Sequence, residues 1–129
     1  REGPGGLALD RGALSWVRVW GSSDERWEIR QSIVLFGADS ESERYVKDIV
    51  REARANKIPE LSVPGFKYDL LIEYSEAGAA LGCVTHAVTH NGQAVVSTSV
   101  ARVSCEDRVD VWPVSLSTDV LKRASLVKP

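Results

Sequence analysis

The chain has no methionine, only two cysteines and two histidines in 129 residues, and no apolar run near the ~18 to 20 residues that span a bilayer. Without such a run a transmembrane helix is excluded, and the N-terminal REGPGG lacks the apolar stretch of a secretory signal. A soluble chain without membrane contact is therefore expected, the cytoplasm being slightly favoured. With no methionine, Arg1 is no translational start, and the chain reads as a processed product or a domain of something longer. Nor is there an excess of one charge: 16 basic and 18 acidic residues leave a net −2. That balance argues against wrapping duplex nucleic acid through massed Lys and Arg. P-loop, GxGxxG, GxSxG and zinc-finger spacings are missing as well, so no cofactor and no metal are expected and no reaction is named.

What is present reads as one α+β domain over residues 13–129, preceded by a flexible, glycine-rich lead-in over 1–12. LSWVRVW and RWEIRQSIVLF are rich in Trp, Val, Ile and Phe around the polar GSSDE, the pattern of a hairpin. The period then changes: Tyr45, Val46, Ile49, Val50 and Ala53 recur at helical spacing, with Ser40 and Glu43 resembling a capping box and Pro59 ending the segment. KYDLLIEYS alternates as a strand, with Leu71 the exception. Asn91-Gly92 between two β-rich runs marks a second hairpin. VDVWPV reads as a further strand and SLSTDVLKRASLV as a short C-terminal helix. The order is β-β-α-β-β-β-β-α, an antiparallel sheet of about six strands with the long helix on one face.

The first hairpin carries the most pointed question. Pairing Val17 with Ile29 and Val19 with Trp27, around a Gly21 to Glu25 loop, sorts the valines, Trp27 and Ile29 onto one core face. The other face then holds Trp16, Arg18, Trp20, Arg26, Glu28 and Arg30, a ladder of indoles and guanidiniums. Trp and Arg dominate interface hot spots, so Trp16, Arg18, Trp20, Arg26 and Arg30 form the candidate partner-binding surface. Burial of the same tryptophans beneath another part of the chain is the structural alternative.

A two-residue Asn91-Gly92 turn sets His86 opposite Ser97, His90 opposite Gln93 and Cys83 opposite Val100. His86 with Ser97, and Tyr68 as the neighbour, is the one catalytic candidate, without a carboxylate to orient the ring or an identifiable oxyanion hole. On a strand His86 and His90 lie about 13 Å apart, too far to share a metal, and His90 beside the turn reads as solvated. Cys105 falls five residues past the partner of Cys83, so two free thiols are expected. The small-sided hairpin from Ala79 to Ser104 is apolar on both faces. The long helix covers only one of them, leaving the other to the C-terminal helix or to a homodimer.

The reading that follows is a non-enzymatic module recognising a protein partner, or itself, through the Trp and Arg face. A small hydrolase or nuclease built on His86 with Ser97 or Tyr68, and a single-stranded nucleic-acid or carbohydrate binder stacking its ligand on indoles, are the alternatives.

Overall fold

The computed structural model describes residues 14–105 and 111–126. The lead-in over 1–12 and the start of VDVWPV lie outside them. Five strands, β1 (Leu14–Gly21), β2 (Trp27–Leu35), β3 (Leu70–Ser75), β4 (Cys83–Asn91) and β5 (Ala94–Arg102), form one antiparallel sheet in the order β1-β2-β5-β4-β3. Helix α1 (Asp39–Ala55) carries the chain from β2 across to β3 at the far edge, and α2 (Val111–Leu126) follows β5. The class is α+β as the periodicities imply, with five strands in place of about six. Val111 to Val114 open α2 instead of closing a strand. Pro113 is tolerated there because the N–H groups of a first helical turn have no intrahelical acceptor.

Strand alternation gives the sheet two faces, and each receives one helix. On the first, Val34, Leu70, Ile72, Val88 and Val95 meet Tyr45, Val46 and Ala53 of α1. Those helix residues are the apolar stripe read from the sequence. Ala38, not Ser40, precedes the helix, and it makes no side-chain cap. Ser42 instead sets its hydroxyl against the carbonyls of Asp39 and Gly92, tying α1 to the β4-β5 turn.

The second face is covered by α2, which packs on β4 and β5. Leu71, the exception in its strand, points here and meets Ala87 and Val114. The register of α2 is fixed by a buried polar chain: the Gln31 amide donates to Thr98 Oγ1 at 2.9 Å, and Thr98 Oγ1 lies 2.7 Å from Ser117 Oγ. Each polar atom finds its partner inside the core, which is what makes their burial tolerable. Between the C-terminal helix and a homodimer as cover for the small-residue hairpin, the helix does the work.

Both hairpin registers differ from the sequence expectation. In the first, Trp20 pairs with Ile29, Arg18 with Gln31 and Trp16 with Ile33. The loop is Ser22 to Arg26, one residue farther on than Gly21 to Glu25, and its own side chains hold it there: Ser22 Oγ accepts from the Arg26 and Trp27 amides, and Glu25 takes φ +58°. Gly21 is required beside it, since a Cβ there would sit 2.9 Å from the Trp27 carbonyl. In the second hairpin the loop is Gly92-Gln93, with Asn91 paired to Ala94. Gly92 has φ +59°, the first-position glycine of a type II′ turn.

Candidate functional site

The register shift rearranges the surface read from SWVRVW. Trp16, Arg18 and Trp20 share a face with Ile29, Gln31 and Ile33, the face that α2 covers farther in. Val17 and Val19, expected in the core, lie on the opposite side beside Ser32 and Arg30. Arg30 is therefore not part of the tryptophan surface. It pairs with Glu28 at 3.1 Å and lines a hollow of about 460 Å³ with Tyr74 and Ser99 on the α1 side of the sheet. Arg26 sits in the turn, exposed.

Because the helices pack on the inner strands, β1 reaches past both of them. Trp16 is 52% exposed, Val17 51% and Val19 47%. Trp20 is half-buried, and the Arg18 guanidinium lies 5.5 Å from its ring centroid, within cation-π range. Trp27 meets Trp112 of α2 edge-on at 6.3 Å. All four tryptophans of the chain thus belong to one side of the molecule. Among the described residues the outer edge of β1 pairs with nothing.

His86 pairs with Ser99, not Ser97, which lies opposite Val88. Tyr68 is not beside either: its hydroxyl accepts from the Val63 amide at 3.1 Å and donates to the Leu61 carbonyl. The three residues of the catalytic candidate are therefore not brought into one constellation. His86 is half-buried between Ile72 and Ser99, and desolvation lowers its pKa from 6.5 to about 4. Neutral in the fold and protonatable when unfolded, it contributes stability that is complete above pH 6.5 and lost as the pH falls from there toward 4. The loss is expected to be about 2 kcal/mol after discounting the part of the ring that still meets solvent. Urea midpoints at pH 7 and 4.5 measure it, and His86→Leu should flatten the difference.

Sequence reasoning missed a cluster at the end of the α2 face, buried at Cys83, Thr85 and Arg102 and open to water at Glu73 and Cys105. Cys83 and Cys105 form a disulfide, with Cα atoms 5.3 Å apart, instead of two free thiols. Cys83 lies opposite Arg102, two positions from the expected partner, and the turn at residues 103–105 brings Cys105 back within reach. Arg102 is 2% exposed and donates to Thr85 Oγ1 at 2.8 Å and to Glu73 Oε1 at 2.7 Å. Glu73 and both sulfurs lie within 4.8 Å of one another, yet the thiols are consumed in the bridge and the carboxylate by Arg102. The cluster is a covalent and ionic clasp. His90, expected to be solvated, sets Nδ1 2.7 Å from Asp69 Oδ2.

No protein-family model, curated protein or solved structure matches the chain. No helix among the described residues is long and apolar enough to cross a membrane.

Proposed function

We propose that the domain is a non-enzymatic interaction module that binds by adding a strand to β1, and that a second copy of the chain is its partner. The observation that carries this reading is an edge strand exposed on both faces, its outer edge unpaired among the described residues, with aromatic and β-branched residues at Trp16, Val17, Val19 and Trp20. Edge strands ordinarily carry charges, proline or a bulge that deter pairing. Among the residues of β1, only Arg18 is charged.

The strand's own sequence selects a register. When identical antiparallel strands pair in one sheet, positions from the same face must oppose one another. An axis through Arg18 sets two guanidiniums together and is disfavoured. An axis through Val17 sets Trp16 against Arg18 twice, Val17 against itself and Ser15 against Val19. Each arginine then meets an indole of the other copy, and no charge faces its like.

Sedimentation equilibrium of the intact chain is expected to show a dimer that Trp16→Ala with Trp20→Ala, or Val17→Lys alone, converts to a folded monomer. Both Trp16 and Val17 are exposed, so folding should survive. A wild-type chain that remains monomeric, or a double variant that unfolds, overturns the reading.

A further inference from the structure

Three metal-ligating side chains meet at the end of the sheet, where β3, β4 and the turn after β5 come together. Glu73, Cys83 and Cys105 each bring one ligand atom, and these atoms lie within 4.8 Å of one another. While the bridge is closed the sulfurs are poor ligands, because it is the thiolate that binds metal. Reduction changes this. A dithiol gives the bond two electrons and two protons and closes to its own disulfide, leaving the Cys83 and Cys105 thiols. Cys105 is exposed, so an attacking thiolate reaches its sulfur, while Cys83 is 3% exposed. Once released, Cys83 Sγ faces the position its partner sulfur has left, on the open side of the cluster.

The spacing suits a zinc ion. Two sulfurs on one tetrahedral zinc stand roughly 3.8 Å apart at Zn–S distances of about 2.3 Å, a gap that side-chain rotation opens between Cα atoms 5.3 Å apart. Glu73 is already oriented: its Oε1 accepts from Arg102 at 2.7 Å and from Thr85 Oγ1 at 3.4 Å. Both bonds fall on Oε1, and Oε2 makes no hydrogen bond among the described residues. Such outer hydrogen bonds are what fix a ligating carboxylate in place. Two thiolates and a carboxylate around Zn²⁺ carry one net negative charge, which the permanently protonated Arg102 guanidinium, 2% exposed, offsets. The cluster is therefore neutral with the ion in place.

We infer that the reduced domain binds one zinc ion through Cys83, Cys105 and Glu73, with water in the fourth position and with Arg102 and Thr85 holding the carboxylate. Zinc is the ion that takes thiolate and carboxylate together in a tetrahedron. On binding, the two thiol protons pass to water. This end of the sheet is then cross-linked in either redox environment, by the bridge when oxidised and by the ion when reduced. The site is independent of pairing through β1.

The test is titration of the full chain with zinc chloride, and with cobalt(II) as a spectroscopic probe, before and after reduction by a phosphine, which adds no competing thiol. One cobalt per reduced chain is expected, with thiolate-to-metal charge-transfer absorption and the d–d bands of a tetrahedral site. Zinc at about a hundredfold excess over its dissociation constant should raise the melting temperature of the reduced chain by about 10 °C, or restore the fold where reduction has removed it. The oxidised chain should not respond. Cys105→Ser, compared in reduced form so that neither protein carries the bridge, is expected to weaken zinc about a hundredfold, and Glu73→Gln about tenfold. Equal zinc binding by the oxidised chain, a missing charge-transfer band, or undiminished affinity in either variant overturns the assignment.

Discussion

Arg102→Ala is expected to cost about 3 to 4 kcal/mol of folding stability, among the largest losses available to a single substitution in this chain. The guanidinium is 2% exposed, while the Glu73 side chain keeps 27% of its surface in water. Removing the arginine takes the charged partner from a partly buried carboxylate, leaves Thr85 Oγ1 only its 3.4 Å hydrogen bond to Glu73 Oε1, and opens a void in the row between Trp27 and Cys83. The reverse deletion is also informative. Glu73→Gln keeps an oxygen for the Arg102 donor but removes the negative charge that the guanidinium meets at 2.7 Å. It is expected to cost about 2 kcal/mol, since water reaches the Glu73 side of the pair. Urea unfolding of the three proteins measures both quantities. An Arg102→Ala variant within 1 kcal/mol of wild type, roughly the size of one ordinary hydrogen bond, contradicts the clasp.

How legible this cluster was can be traced to single residues. In VVSTSVARVS, Arg102 looks like the polar member of an alternating strand, and alternation usually places such a residue in water. Nothing local marks it as the one residue whose long side chain crosses from β5 past β4 toward Glu73 on β3. The disulfide was hidden by a two-position slip. With the turn set at Asn91-Gly92, where the chain in fact turns at Gly92-Gln93, Cys83 falls opposite Val100 and not Arg102, and a bond needing close Cα atoms looks unreachable. That slip left the face of every residue unchanged, because side chains repeat every two positions. The small-residue faces of β4 and β5 were therefore read correctly.

The first hairpin failed differently. Counting outward from a short loop gave a register of the wrong parity, which moved Arg26 and Arg30 onto the tryptophan face and the valines into a core they do not join. The information that decides it lies in the turn, where Ser22 and Asp24 accept backbone protons, and in β5, whose Val96, Thr98 and Val100 pair across β2. Neither is visible in SWVRVW itself. What stayed legible was that Trp16, Arg18 and Trp20 share one side, a consequence of strand geometry alone. The long helix was legible for the same kind of reason: Tyr45, Val46 and Ala53 recur on a period that only a helix brings to one face.

Cys83→Ser with Cys105→Ser, or reduction of the wild type, is expected to cost about 3 kcal/mol, from the loop-closure entropy restored to an unfolded chain in which the bridged cysteines are 22 residues apart. That loop contains all of β5, the strand joining the β1-β2 hairpin to the rest of the sheet. Loss of the bridge should therefore loosen the sheet's centre as well as its end. It also bears on compartment: in a reducing cytosol the domain forgoes this stabilisation, whereas in an oxidising environment it keeps it. The bridge and the ion pair are neighbours, with Cys105 Sγ and Glu73 within 4.8 Å, so their contributions should not add. Removing the disulfide admits water to the Arg102-Glu73 contact and weakens what Arg102→Ala can then take away. A double-mutant cycle is expected to show a coupling of about 1 kcal/mol, as for other residues in direct contact. Unfolding midpoints that do not move with reductant, or strictly additive losses, would leave the clasp as two unrelated features.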